Sequence, residues 1–321
     1  MKFTDVLIIG AGISGLVCAS KLSKADMSVR LLDKGRGVGG RMATRFMGGA
    51  RLDHGAQYFT VRDSQFQVFV DTWLEAGVIK EWFRHLPEDS NAEGYPRYCG
   101  LRGMTDIPKY LAKDLDVYLS EEVTKLVRDA GLWIVQTASN DFFTTRELVI
   151  TTPLPQALNL LETMGHEYDK GNIDALRKVR YERGLATLAI LDGPSGLPAP
   201  GGLKVHDAPI TWIADNQIKG ISPDVPAITI HANANFADEY WDSCDNLRGK
   251  IMIEAVAHLI QSNISEFNCH RWGYTTPINP WPEQYFYNDD LRFTLAGDSF
   301  GGARIEGAAL SGLAAASRIL S

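Results

Sequence analysis

Cysteine is scarce in this chain of 321 residues: there are four, at positions 18, 99, 244 and 269. Cys18, Cys99, Cys244 and Cys269 form no C-x-x-C and no zinc-like spacing, which argues against a disulfide scaffold or a metal site; a reduced, cytoplasmic chain is the simplest reading. No apolar run approaches the roughly 18 residues that cross a membrane. The opening “MKFTDVLIIGAGISGLVCASKL” is apolar and short, but its first charges are mixed in sign and its glycines interrupt the run, so it does not read as a signal peptide. An excess of positive charge is also missing. Against 39 acidic residues stand 32 Lys and Arg, a formal charge of −7, so a general nucleic-acid surface is not expected and any anion site must be local. Internal repeats and low-complexity segments are absent, as is a convincing Ser/His/Asp or metal constellation.

What is present begins at the N-terminus. “DVLIIG” is a short, wholly apolar run, the pattern of a strand buried on both faces. It leads into Gly10-x-Gly12-x-x-Gly15, then a helical stretch “LVCASKLSK”, then a second strand “SVRLLD” that ends at Asp33, 18 residues after Gly15. This is the strand–turn–helix–strand context of a dinucleotide fingerprint. Gly10 permits the tight turn, Gly12 lets the backbone approach a pyrophosphate, and Gly15 lets helix and strand pack closely. The N–H groups of Ile13 and Ser14 open the helix toward the phosphates, where the helix dipole favours negative charge. Asp33 is placed to accept from the adenosine ribose hydroxyls. None of this separates NAD from FAD.

The next stretch, “DKGRGVGGRMATRF”, carries Lys34 and three arginines among four glycines. The glycines let the backbone bend around a ligand, and Arg36 and Arg41 are planar donor forks suited to phosphate. On these residues the sequence resembles the flavin amine oxidase superfamily, which has an RxGGR-type motif just after the ribose acid. “RGVGGR” departs from it by one extra residue between Arg36 and the glycine pair Gly39 and Gly40. The resemblance implies FAD, with Lys34 among its contacts. It also implies that “ARLDHGAQYFTVRDSQF” passes the isoalloxazine, bringing Gln57 and Tyr58 to the cofactor. Asp53 and His54 are adjacent in that stretch, but neighbours on an extended chain point to opposite faces, so a catalytic dyad is not expected.

Near the C-terminus, “LRFTLAGDSFGGARIEGAALSGLAAASRIL” gives a strand, Ala296-Gly297-Asp298, a glycine loop and an alanine-rich helix. It resembles the last FAD motif of the same superfamily, with Asp298 matching the aspartate of the ribityl or pyrophosphate region. The helix start at Glu306, Gly307 and Ala308 would then face the flavin N1–C2=O side, where its dipole stabilises the anionic reduced flavin. By the same resemblance Val123 receives adenine, and Thr152 follows the buried strand “ELVI” beneath the dinucleotide. The expected fold is α/β: a Rossmann-like FAD-binding domain of the glutathione reductase/amine oxidase type, discontinuous over 1–60, 101–155 and 287–321. An interleaved α+β substrate domain takes 61–100 and 156–286.

No second strand–GxGxxG–helix occurs, so a nicotinamide must enter as substrate rather than occupy its own domain. The last cysteine, Cys269, precedes the Asp298 motif, so the FAD is expected to be non-covalent. “GAQYFTVRD”, “RYCGLRGMTDIPKYLA”, “ITIHANANFADEYWD” and “HRWGY” resemble the renalase branch of the superfamily. That resemblance implies hydride transfer from dihydronicotinamide isomers, the 2- or 6-dihydro forms of NAD(P), to flavin N5, with O2 reoxidising the flavin to give NAD(P)+ and H2O2. Such a substrate is already a hydride donor, and orientation alone is worth roughly 7–11 kcal/mol of barrier. An aromatic pocket is expected from Tyr58, Phe59, Tyr98 and Trp272, with Trp212 and Trp241. His231 in “TIHAN” is the candidate catalytic residue, hydrogen-bonding the carboxamide or flavin, although a satisfied core histidine reads the same way. His270, Arg97 and Arg304 are lesser candidates. The alternatives are an amine oxidase of the same fold, or a non-catalytic binder of the kind that chaperones prenylated GTPases. The expected partners are a small-molecule substrate and O2, with neither nucleic acid nor membrane.

Overall fold

The computed structural model describes residues 2–86, 94–165, 170–206 and 209–321 of the chain; parts of the expected substrate domain, at 87–93, 166–169 and 207–208, lie outside them. The N-terminal unit is β1 (Lys2–Ile9), α1 (Ile13–Ser23) and β2 (Val29–Asp33). Leu7 and Ile9 enter the core on one side of β1, while Val6 and Ile8 enter it on the other. That division follows from the two-residue period of a strand covered on both faces. An antiparallel pair, β3 (Thr44–Met47) and β4 (Ala50–Asp53), comes next. Then follow α2 (Ser64–Glu75), the pair β5 (Ile79–Phe83) and β6 (Arg97–Gly100), and α3 (Asp106–Ala112).

The chain returns to the first sheet with β7 (Asp116–Leu119), β8 (Val123–Asp129), β9 (Leu132–Thr137) and β10 (Phe142–Ile150), then forms α4 (Leu154–Glu162) and α5 (Lys170–Leu176). A second region contains β11 (Gly184–Leu191), β12 (Gly202–Lys204), β13 (Ile210–Asp215), β14 (Ala227–Ala232), α6 (Ala234–Glu239), α7 (Asp245–Val256) and β15 (Ile264–Trp272). Finally β16 (Phe286–Asn288), β17 (Phe293–Leu295) and α8 (Ile305–Leu320) close the first sheet.

That sheet has eight strands, in the order β16-β17-β10-β1-β2-β7, with β9 pairing β10 and β8 pairing β9. Its central pairs, β10 with β1, β1 with β2, and β2 with β7, are parallel. α1 and α8 cover one face; α4, α5 and the β8–β9 hairpin cover the other. The second sheet, β12-β13-β14-β11-β15, is antiparallel throughout. The architecture is thus α/β with a Rossmann-like sheet and an interleaved α+β region.

Packing crosses the expected segment limits. α2 and the β5–β6 pair, expected with the substrate sheet, bury Phe66, Val70, Trp73 and Ile79 against Ile13, Val17 and Ala309 of α1 and α8. β4, expected with the cofactor sheet, packs Ala50 and Leu52 on Leu188 and Ile190 of β11. α4, placed almost wholly past the expected limit at 155, belongs to the first sheet's core through Leu154, Leu158 and Leu161. Amphipathic elements settle on whichever apolar surface is nearest, and chain order does not fix which that is. Among the described residues no helix is long and apolar enough to cross a membrane.

Candidate active site

A cavity of about 1290 Å³ runs from the carboxyl end of β1 and β2 to the inner face of the second sheet. Its first half is lined by Gly10, Gly12, Ile13, Ser14, Asp33, Lys34, Gly39, Gly40, Arg41, Val123, Thr152, Gly297, Asp298 and Ala308. The opposite half brings His54, His231, His270 and Trp272 to the same space.

The turn after β1 is sterically determined. Gly10 has φ +108°, a conformation that favours glycine. A Cβ on Gly15 would come within 2.1 Å of the Gly10 carbonyl oxygen, so the helix can start this close to the strand only without a side chain there. α1 begins with no side-chain cap, leaving its first turn to a ligand or solvent. Asp33 accepts the Ala11 and Gly35 N–H groups, each at 2.7 Å, through different oxygens. Both bonds fix the carboxylate at the cavity edge while each oxygen keeps a lone pair for a ligand hydroxyl. Ser14 and Thr152 line the same cavity, and their buried Oγ and Oγ1 have no hydrogen-bond partner among the described residues. Orphaned hydroxyls beside a glycine turn and a helix N-terminus fit a bound dinucleotide, which supplies phosphate and sugar oxygens.

Arg41 does not stand free for a phosphate, as its sequence context suggested. Its guanidinium forms two bonds to Asp298, Nη1–Oδ2 at 2.5 Å and Nη2–Oδ1 at 2.7 Å, and a third from Nη1 to the Thr275 carbonyl at 3.1 Å. The Tyr181 hydroxyl donates to the same carboxylate at 3.0 Å. Planar fork and carboxylate match bidentately, so these residues form one assembly at the cavity wall.

The opposite wall follows from strand register. Ala186 of β11 lies across from His231 on β14 and from His270 on β15, and Gly184 lies across from Trp272. Directly paired residues share a sheet face, so His231, His270 and Trp272 project together while the central strand offers only glycine and alanine. His54, following β4, stacks on Trp272 with centroids 5.1 Å apart and meets His270 edge-on at 5.0 Å. Trp272 Nε1 donates to the His54 carbonyl at 2.8 Å. The imidazoles are held neutral. Burial, then the neighbouring His270 and Arg45, lowers His54 to about 3. Burial and then Lys219 lower His231 to about 4, and burial and then Arg45 lower His270 to about 4. His54 Nδ1 and His231 Nε2 are buried without a hydrogen-bond partner among the described residues.

Several expected contacts lie elsewhere. Tyr58 packs with Trp82, Phe83 and Trp212. Phe59 is buried against Phe66, Trp73 and Tyr98. None of Tyr58, Phe59, Tyr98 and Trp212 lines the cavity; Phe59 and Trp212 are buried, and Tyr58 and Tyr98 pack half-buried against the same clusters, Tyr98 paired with Phe59. Gln57 Nε2 is spent on the Asp53 and Gly55 carbonyls, at 2.6 and 3.2 Å. Arg36 is exposed outside the lining. Glu306 accepts the Arg62 and Asp63 N–H groups at 2.6 and 2.8 Å and so fixes the turn before α2 rather than facing the cavity. Gly307 is in close contact with the Gly302 backbone, which a Cβ there would meet at 2.3 Å.

Two features escaped the sequence. His54 joins the cavity wall; alternation correctly separated it from Asp53 but gave no sign of its own destination. Asp53 turns inward to Lys219 Nζ at 2.7 Å, both side chains being fully buried. Lys219 also donates to the Gln57 carbonyl, and Asp53 accepts from Thr44 Oγ1 and the Met104 N–H. This pair fastens the turn after β13 to the end of β4. A lysine in “DNQIKG” carries no signal of burial.

The geometry has close counterparts. A family model described as “Flavin containing amine oxidoreductase” matches residues 74–320, and one described as “NAD(P)-binding Rossmann-like domain” matches residues 8–73. Renalase from Mus musculus is 24% identical over 329 residues, covering 96% of this chain and 96% of that protein. The solved structure of cyclohexylamine oxidase from Brevibacterium oxydans IH-35A superposes with a TM-score of 0.75 at 13% identity over 98% of each chain. A putative protoporphyrinogen oxidase from Exiguobacterium sp. 255-15 gives 0.74 at 13% identity, over 99% of this chain and 98% of that one. At such identities the solved structures speak for the fold alone.

Proposed function

The chain belongs to the flavin-containing amine oxidoreductase family, and from that premise we propose that it oxidises dihydronicotinamide isomers, the 2- or 6-dihydro forms of NAD(P), to NAD(P)+. It is an FAD-dependent oxidoreductase, renalase-like along its length. FAD, when bound, supplies the hydride acceptor and passes the electron pair to O2. In the net reaction the substrate C–H bond breaks with its electron pair, the ring becomes an aromatic pyridinium, and a solvent proton completes H2O2.

The carrying observation is the wall of His54, His231, His270 and Trp272. It is aromatic and neutral, with His54 stacked on Trp272 and His270 edge-on to both, and it suits an uncharged pyridine-type ring. A primary carboxamide offers both donors and an acceptor, and His54 Nδ1 and His231 Nε2 are buried atoms without a hydrogen-bond partner among the described residues. Held well below their ordinary range, these imidazoles orient rather than exchange protons at neutral pH. Orientation suffices, because the substrate needs no deprotonation before it gives up hydride. The cofactor contacts in this reading are the Gly10–Gly15 turn, Asp33, Lys34, Gly39, Gly40, Val123, Thr152, Gly297, Asp298 and Ala308, all at or beside the cavity. Among the described residues no cysteine lines it.

Anaerobic mixing tests the proposal. Dihydronicotinamide isomers bleach the flavin absorbance quickly, while simple amines bleach it slowly or not at all. Fast bleaching by amines alone overturns this reading in favour of amine oxidation.

A further inference from the structure

Where the cavity reaches the end of the second sheet, its lining becomes basic. Arg183 immediately precedes β11, and Arg271 on β15 is paired with Leu185. Both arginines are exposed and both line the cavity. Trp241 lies between them, its ring centroid 4.7 Å from Arg183 Cζ and 5.5 Å from Arg271 Cζ. The indole is itself anchored. Its backbone carbonyl accepts from Arg271 Nη1 at 3.1 Å and from Arg248 Nη1 at 2.6 Å, and Arg248 on α7 is fully buried. A guanidinium resting on an aromatic plate keeps its charge and its outward N–H donors but loses less freedom on binding an anion. Among the nearby acids, Asp238 lies 3.7 Å from Arg183 in an exposed pair, Glu182 also lines the cavity, and Asp245 is paired with Arg248. An exposed pair of that length holds its arginine weakly.

We propose that Arg183 and Arg271, seated on Trp241, form a subsite for the phosphate groups of a nucleotide substrate. The inference rests on the dihydronicotinamide reading and sharpens it. The glycine turn on the other sheet serves the cofactor's diphosphate, so this second basic site answers to a second phosphate-bearing ligand. The same two charges disfavour an ammonium substrate at this end of the cavity.

The experiment uses the flavin-loaded protein with two reductants that share the ring: a dihydronicotinamide dinucleotide isomer, and its N-methyl analogue without phosphate. The double variant R183Q/R271Q loses about 10- to 100-fold in kcat/KM for the dinucleotide, mostly through KM, as expected for two charge-assisted contacts. Its loss with the N-methyl analogue is much smaller, and its salt dependence with the dinucleotide flattens. Asp238→Asn, which frees Arg183 without removing a donor, lowers KM for the dinucleotide. Equal losses on both reductants, or none on either, overturn the subsite. If neither reductant bleaches the wild-type flavin, the functional reading fails instead. The subsite is then judged by NAD+ titration of the flavin absorbance: weaker binding in R183Q/R271Q supports it, and binding equal to wild type, or none in either, overturns it.

Discussion

Arg41 and Asp298 stand 257 positions apart in the chain and are joined by two hydrogen bonds at 2.5 and 2.7 Å. One comes from the glycine-rich loop after β2 and the other from the turn after β17, so the pair ties the first and last cofactor motifs together. Asp298→Ala leaves a partly buried guanidinium without its carboxylate, and a charged group so stranded is costly. The expected result is a protein that purifies with less flavin and melts earlier. Arg41→Lys, which keeps the charge and loses the fork, gives a milder version of both, read from the flavin-to-protein absorbance ratio and from thermal melts.

Asp33 does two things at once: it accepts two backbone N–H groups and offers its remaining lone pairs to the cavity. Asp33→Ala therefore weakens FAD affinity by about 10- to 100-fold, the scale of losing charge-assisted hydrogen bonds. Flavin titration of the apoprotein measures it, and unchanged affinity would place the ribose elsewhere.

Lys219 and Asp53 form a fully buried pair. Lys219→Met strands the Asp53 carboxylate and is expected to destabilise by about 3–5 kcal/mol. Combining it with Asp53→Asn recovers part of that loss, because the uncompensated charge is then gone. Chemical denaturation of the two single variants and the double variant reads the coupling directly.

His54, His231 and His270 make stability pH-dependent with a definite sign. Their native values of about 3, 4 and 4 lie below the ordinary 6.5. Between about pH 6.5 and 4 the unfolded chain binds protons that the native protein does not, so stability falls as pH drops through that window and is fully present above it. Denaturation midpoints at pH 7.5, 6 and 5 should decline in order. His54→Leu should reduce the slope, and an unchanged slope would mean that His54 does not carry it.

His231→Leu keeps the ring volume roughly filled but removes the unpartnered nitrogen. Flavin content should hold near wild type while KM for a dihydronicotinamide rises several-fold. Loss of flavin together with activity would assign His231 to the cofactor instead.

The Gly10–Asp33 part of the cavity wall was legible because it is local. A strand, a glycine turn, a helix and a terminal acid specify one another within thirty-three residues, and each contact there involves backbone geometry that sequence states directly. The aromatic residues were not legible in that way. Tyr58, Phe59 and Tyr98 look like pocket residues but pack in or against the core away from the cavity, whereas His54 looks incidental and stands in the wall. Composition is the same in either place, since a ring satisfies a core and a ligand site by the same apolar surface.

By itself, then, the sequence determined the Rossmann-like unit with its dinucleotide-type turn, because short-range sterics and hydrogen bonding leave few other uses for Gly10, Gly15 and Asp33. The tertiary structure decided the opposite wall. Only antiparallel register across β14, β11 and β15 sets His231 and His270 on either side of Ala186, and only packing turns Asp53 toward Lys219 and His54 toward Trp272. Those choices depend on which distant surfaces meet, and no local pattern encodes them.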